Sequence, residues 1–178
     1  MGWLCSDTGE LAYVDVRVPA SNLVGDEGSG FIQVAQNFAG ERLGLAVHGY
    51  GVAQRALDLT VAYTKQRIVF GKPLINKQVV RHKLVDMTRA VDVARTYTHS
   101  IIQRHIAGEQ VFAEAAMAKN EAVEACMFVV NEAVQLHGGA GYMRDSEVEM
   151  HYRDARLLGI GGGATEVMND LIAKALFG

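Results

Sequence analysis

Proline is almost absent from this chain of 178 residues: Pro19 and Pro73 are its only two. Everything beyond Leu74 is therefore free of the one residue that removes a helical N–H and clashes with the preceding turn. Cysteine is equally scarce. Cys5 and Cys126 lie far apart, with no Cys-x-x-Cys spacing and no companion histidines at ligand spacing. This excludes a disulfide framework or a zinc cluster and reads as two reduced thiols of an intracellular protein. No apolar run reaches the roughly 18 residues that span a bilayer, and no basic stretch followed by an apolar one marks an export signal. An excess of positive charge is missing too: 17 Lys and Arg face 20 Asp and Glu, a net charge of -3. The basic footprint of nucleic-acid binding is not there. Neither internal repeats nor low-complexity tracts occur.

What is present is apolar mass, 49% of the residues, enough for one domain with its own core. Residues 10–19 alternate, with Val14, Val16 and Val18 on one side and Asp15 and Arg17 on the other, up to Pro19. That is the period of a strand. A lone strand cannot satisfy its own backbone or bury its apolar face, so this segment is expected to belong to a sheet whose other strands lie outside the sequence. From Phe31 the pattern turns helical, with breaks near Gly71 and Gly138. A second periodic stretch shows Val80, Leu84, Met87, Val91, Ala94 and Ile101, and a third shows Ala116, Val123, Met127, Val130 and Val134, at steps of three, four or seven. A shorter helix is expected after Gly161–Gly163, with Thr165 as its N-cap and Val167, Leu171, Ile172 and Leu176 on its apolar side. Four helices with short connections predict a mainly α chain, an up-and-down four-helix bundle. Helices of about 30 residues are near 45 Å long, a length that implies an oligomer interface as well.

Along the first helix Phe31, Val34, Ala35, Phe38, Leu45 and Val52 form one apolar stripe, and the same stepping places Glu41 and Arg42 inside it. Burial disfavours the charged form of a carboxylate and suits it to take up and release a proton as a general base. The structural alternative is a buried acid satisfied by an arginine of another helix, since Arg42 at the next position points elsewhere. Periodicity alone favours that alternative.

Glycines gather toward the C-terminus. Gln135-Leu-His-Gly-Gly-Ala-Gly-Tyr-Met143, Tyr152-Arg-Asp-Ala-Arg156 and Ile160-Gly-Gly-Gly-Ala-Thr-Glu-Val-Met168 follow one another in that order. Together they resemble the C-terminal signature of the flavin-dependent acyl-CoA dehydrogenases, a resemblance that runs over essentially the whole chain. It implies that residues 1–28 are a remnant of the family's middle β-domain and that residues 29–178 are its C-terminal helical domain, so the chain reads as truncated. Most members resemble one another in an Ile-Tyr-Glu-Gly-Thr pattern at the loop where this chain has Ile160-Gly161-Gly162-Gly163-Ala164. The catalytic glutamate of that loop is thus replaced by Gly162. A minority, typified by the isovaleryl-CoA and long-chain enzymes, place the base on the long helix immediately before an arginine, as Glu41-Arg42 stands here. The resemblance therefore assigns Glu41 as the base, and Arg42, Gly162 and Gly163 to substrate binding. The bulk missing at Gly161 and Ala164 implies a roomier pocket for a long or branched acyl chain.

The implied reaction is α,β-dehydrogenation of an acyl-CoA thioester with FAD as cofactor. Glu41 would remove an α-proton while a hydride leaves the β-carbon for the flavin, and the thioester carbonyl would be stabilised by donors that include the Gly162 amide. Arg67-Ile-Val-Phe70-Gly71-Lys72 resembles the family's Arg-x-x-Phe-Gly element, which reaches the FAD of a neighbouring subunit; the planar guanidinium fork suits phosphate. By itself this string reads equally well as a helix C-terminus stopped at Gly71. Gln78 matches a second cofactor position, and Gln135 through Gly139 a third, where Gly138 and Gly139 permit close backbone approach. Thr165 and Glu166 fall where the loop touches flavin again at a helix N-terminus, although Glu166 also serves as an ordinary first-turn acid. Arg153-Asp154 matches a structural ion pair of the family. The implied partners are an acyl-CoA, an electron-transfer flavoprotein as acceptor, and further copies of the chain in a dimer or tetramer. The implied compartment is the cytoplasm of a bacterium or the mitochondrial matrix of a eukaryote.

Other patterns lack their context. Gly159-Ile-Gly161-Gly162-Gly163-Ala164 fits a Gly-x-Gly-x-x-Ala nucleotide fingerprint, but no strand precedes it. His137-Gly138-Gly139 is similar to a hydrolase oxyanion loop, but no Gly-x-Ser-x-Gly elbow exists. Two functional alternatives stay open: a non-catalytic helical module that pairs with a complete subunit, and an acyl-CoA oxidase that passes electrons to oxygen.

Overall fold

A computed structural model describes residues 1–178, apart from the side chain of Gln36. Five helices carry the chain: α1 (Gly30–Gln66), α2 (Gln78–Ile106), α3 (Phe112–His137), α4 (Glu147–Ala155) and α5 (Thr165–Phe177). Between α1 and α2 lies a short antiparallel hairpin, β1 (Ile68–Val69) with β2 (Lys72–Pro73), paired Val69 to Lys72 and Ile68 to Pro73. Cross-helix pairs set the directions. Tyr50 and Gln54 of α1 meet His99 and Arg95 of α2, and Lys83 of α2 bonds Glu132 of α3. Neighbours in sequence therefore run antiparallel. Asn120 of α3 reaches Thr165 and Asn169 of α5, and the expected up-and-down bundle is formed by α1, α2, α3 and α5.

The helix at the centre is α3. Seven alanines between Ala113 and Ala133 are buried on it. Alanine is the strongest helix former and loses no side-chain freedom on burial, so this helix can be enclosed on most of its faces without crowding its neighbours. Its expected stripe holds: Ala116, Val123 and Val130 are buried, and Met127 and Val134 pack half-buried against the core. On α2 all six expected residues from Val80 to Ile101 are buried.

The expectation for α1 needs correction. Phe31 and Val34 are exposed, and Ala35, Phe38, Leu45 and Val52 are only half-buried. Ala39, Arg42, Leu43, Ala46, Gly49, Ala53, Ala56 and Leu57 face the core instead. The stripe drawn through the bulky residues misses the inner face because the inner face is made of small ones. A Cβ added to Gly49 would lie 3.0 Å from the Ala122 carbonyl oxygen of α3, so the two backbones approach as closely as glycine and alanine permit.

Three further expectations differ from the structure. Residues 10–19 form no strand, and Val14, Val16 and Val18 are exposed; with no second strand to supply a ladder, the alternating pattern has nothing to pair with. The helix α4, with Glu147 and Glu149 in its first turn and Arg153 in its last, was not foreseen, although that charge order matches the helix dipole. Arg153 and Asp154 do not form an ion pair with one another. Arg153 bonds Glu149 one turn back, at 2.6 and 3.0 Å, because residues at i and i+4 share a helix face whereas adjacent ones do not. Asp154 instead accepts the backbone N–H of Trp3 at 2.6 Å, and its own carbonyl takes the indole N–H at 3.1 Å. These bonds tie the N-terminal segment to the bundle.

The close α1–α3 contact makes Gly49 a sensitive position. Gly49→Val forces branched bulk against the Ala122 backbone, and overpacking of this kind costs about 1–3 kcal/mol. The midpoint of urea unfolding should fall accordingly; an unchanged midpoint would mean that the helices separate freely there.

Candidate functional site

The glycine loop sits on α1 and α3. Gly162 and Gly163 have φ of +64° and +100°, a left-handed region that only glycine enters without strain. A Cβ at Gly162 would collide with the Leu45 side chain. Leu45 lies one turn beyond Glu41 and on the same side of α1, so Glu41 is on the helix face that the loop overlies. Leu45 thus fills the side-chain space at Gly162, whereas a Cβ at Gly161, one of the two positions where open room is expected, would meet only Leu157 at 3.5 Å and beyond.

Glu41 and Arg42 part company. Glu41 is exposed, so its expected place on a core-facing stripe is corrected: the small-residue face is turned about one residue away from it. Arg42 is 7% exposed. Its Nε has no hydrogen-bond partner, and its guanidinium lies 5.2 Å from the centre of the Phe38 ring. Burial pushes Arg42 below the usual guanidinium range, and Glu41 pulls the other way.

Two side chains that the sequence reading passed over hold this loop. Lys119 Nζ donates to the Gly163 carbonyl at 2.7 Å. Asn120 Nδ2 donates to the Thr165 carbonyl at 3.2 Å and to Asn169 Oδ1 at 3.0 Å. Burial lowers the pKa of Lys119, repulsion from Arg42 lowers it further, and Glu166 opposes both. A signal was available. Lys119 and Asn120 stand three and four residues from both Ala116 and Val123, inside the stripe already drawn as buried. Thr165 is the first residue of α5 rather than its cap; Ala164 takes that place and, lacking a polar side chain, makes no side-chain hydrogen bond to the first turn. Glu166 follows, exposed in the first turn.

A second cluster lies at the far end of α1. From Glu41 to Arg67 the helical rise amounts to about 39 Å. Phe70 and Gly71, at φ +49° and +76°, make the two-residue turn of the hairpin, the mirror-image type that suits strand twist. Phe70 is 94% exposed, and Lys77 Nζ lies 5.4 Å from its ring centre. A non-glycine residue held at positive φ with a bare aromatic ring is a strained position of the kind found at ligand contacts. Arg67 and Gln78 flank it, both exposed, with Gln78 opening α2. Tyr63, one turn before Arg67, stacks on His137 with centroids 4.2 Å apart and donates its hydroxyl to the His137 carbonyl at 3.2 Å. This contact brings the end of α1 to the turn where α3 stops at Gly138, φ +61°. Gln135, Gly138 and Gly139 are exposed there, and a Cβ at either glycine would meet nothing within 4 Å. The structure thus divides the expected residues into two groups: Glu41, Arg42, Gly162, Gly163, Thr165 and Glu166 at one end, and Arg67, Phe70, Gln78, Gln135, Gly138 and Gly139 at the other.

Among the described residues no cluster of His, Cys, Asp or Glu could hold a metal ion, and no helix is long and apolar enough to cross a membrane. Cys126 is buried, and burial raises its thiol to about 12, which keeps it protonated and inert.

Residues 28–177 match the family model described as acyl-CoA dehydrogenase, C-terminal domain. The chain is 61% identical to a probable acyl-CoA dehydrogenase from Mycobacterium abscessus, whose crystal structure matches with a TM-score of 0.96 over 98% of this chain and 46% of that one. It is 38% identical to the butyryl-CoA dehydrogenase from Megasphaera elsdenii, with a TM-score of 0.90 over 92% of this chain and 43% of that one. Among curated relatives, acryloyl-CoA reductase (NADH) from Anaerotignum propionicum is 40% identical, over 98% of this chain and 44% of the relative. The chain spans less than half the length of the curated relatives it matches.

His137 makes the glycine turn at the end of α3 sensitive to acid. Burial holds its imidazole below the usual value of 6.5, while its hydrogen bond to the Ala133 carbonyl works against that. The unfolded chain therefore takes up this proton first. The stabilising contribution is complete above about pH 6.5 and is lost as pH falls through the lower folded value. Unfolding midpoints of the wild type should decline with acid more steeply than those of His137→Gln; equal slopes would show that His137 does not report on this turn.

Proposed function

The chain belongs to the acyl-CoA dehydrogenase family, and from that premise we propose that the protein dehydrogenates an acyl-CoA thioester between its α and β carbons, with Glu41 as the base. The observation that carries this reading is the exchange between loop and helix. Gly162 offers no carboxylate and its side-chain space is filled by Leu45, while Glu41 stands free one turn away on that face of α1.

In the proposed mechanism the Glu41 carboxylate takes the α-proton. Negative charge then grows on the thioester oxygen, where a preorganised N–H donor is most effective in a site that excludes water. Gly162 supplies that N–H, which the loss of a side chain leaves intact, and Gly163 shapes the turn that presents it. Arg42, buried at the next position of the same helix, is proposed to contribute to substrate binding. Bound FAD would supply the two-electron acceptor for a hydride from the β-carbon. Thr165 and Glu166, at the start of α5, are proposed to lie against the flavin of the same site.

The residues at the other end of the bundle fit the rest of this cofactor. Arg67 offers a guanidinium fork for phosphate, Gln78 an amide at a helix N-terminus, Phe70 a bare ring for stacking, and Gly138 with Gly139 an uncrowded backbone. A separation of about 39 Å from Glu41 favours their serving a different copy of the site. This supports a homo-oligomer, a dimer or tetramer, in which each chain completes its neighbour's FAD site. Residues 1–28 are proposed to end a preceding β-domain. An electron-transfer flavoprotein is the proposed acceptor.

Several relatives are named for short acyl groups and one, from Rattus norvegicus, for long ones, and Leu45 occupies the space over Gly162. A short acyl chain is thus the first substrate class to test, ahead of the long or branched one. The same atoms serve the reverse reduction of an enoyl thioester, the direction named in the Anaerotignum relative.

The deciding experiment is the visible spectrum of the full-length protein without oxygen, before and after addition of butyryl-, isovaleryl- or palmitoyl-CoA. At least one should reduce the flavin band; none doing so would refute the reading. Glu41→Gln should slow that reduction by about 10²- to 10⁴-fold with FAD still bound. Arg67→Ala should lower the FAD content after purification while circular dichroism stays unchanged, and full retention of FAD would exclude the cross-subunit contact.

A further inference from the structure

Three consecutive glycines make Gly161–Gly163 a loop with a strong tendency to disorder, since glycine loses the most backbone freedom on becoming fixed. The hold on it comes from inside the bundle. Lys119 has 0% exposure and delivers its ammonium to the Gly163 carbonyl at 2.7 Å. A buried charge is strongly disfavoured unless it is paired, and the group bonded here is a neutral backbone oxygen. The nearby Arg42 adds repulsion. Packing does not explain such a residue, because an apolar side chain of similar volume commonly stabilises a core at least as well. What the ammonium does provide is a fixed orientation for the peptide that follows Gly163, with Asn120 holding the Thr165 carbonyl next along.

We propose that Lys119 is a positioning residue for the reaction: by gripping the Gly163 carbonyl it locks the left-handed Gly162–Gly163 turn and so aims the Gly162 N–H at the thioester oxygen. The side chain touches neither substrate nor reacting atoms and acts only through the loop. This inference rests on the acyl-CoA reading above and deepens it.

The test uses the full-length, FAD-loaded enzyme as wild type and Lys119→Met, with Glu124→Gln as an exposed control on the same helix. The probe is crotonyl-CoA, an enoyl thioester carrying ¹³C at its carbonyl, followed by infrared difference spectroscopy. Lys119→Met should keep its FAD content and circular dichroism. With butyryl-CoA as the reductant it should also reduce its flavin roughly 10- to 100-fold more slowly, part of what complete loss of one such donor costs, with little change in KM. The bound C=O stretch should move back toward its frequency in solution, and amide exchange over residues 161–164 should quicken. A wild-type rate, stretch and exchange pattern in Lys119→Met overturns the proposal. Should that variant not fold, Lys119→Arg carries the same test, because its longer planar head cannot place a donor at the same point; the same shift is expected and its absence overturns the idea. A wild type whose flavin no acyl-CoA reduces sinks the dehydrogenase reading alone. Quickened exchange in the variant then still supports the grip of Lys119, and unchanged exchange still refutes it.

Discussion

The close approach of α1 to α3 is the constraint on which the rest depends. Gly49 against Ala122, with Ala39, Ala46, Ala53 and Ala56 along the same face, lets the two longest-buried surfaces meet almost backbone to backbone. That contact fixes the rotation of α1 about its axis. Once Ala39, Leu43 and Ala46 point inward, Arg42 must follow them, and Glu41 must turn aside toward the loop. The chemistry proposed for this protein is therefore set by residues with almost no side chain.

Packing near the loop is electrostatically unusual. Arg42 and Lys119 are two cations enclosed by the bundle, and Glu166, which opposes the shift on Lys119, stands exposed at the start of α5. Elsewhere charges follow the ordinary surface pattern: Arg55 meets Glu147 and Arg104 meets Glu109 and Glu114 at the rim, positions where ion pairs add little stability. The contrast separates charges that only coat the fold from those kept inside it next to a glycine loop.

How much of this was legible depended on side-chain size and on what each pattern needed to complete it. The stripes on α2 and on α3 were readable because Leu84, Met87, Val123 and Val130 are bulky and buried together. The stripe on α1 was not, since Phe31 and Val34 are bulky and outside while Gly49 and Ala53 are small and inside; periodicity weighted by hydrophobic mass follows the wrong face. Lys119 and Asn120 share the spacing of a buried stripe, but hydrophobic periodicity registers apolar side chains and is blind to polar ones at the same positions. The two clusters were identified through resemblance to a family, residue by residue. Their separation to opposite ends of the bundle needed the helix itself to be measured.

Val14, Val16 and Val18 stand exposed on a segment that alternates like a strand but pairs with nothing here. Backbone donors and acceptors along such a segment are adhesive toward any extended chain that offers the matching register. Kept bare, this stretch would recruit the same stretch of another copy and knit molecules together edge to edge, a route to turbidity unrelated to the bundle's own stability. A covering β-layer would act on this protein as a shield against itself.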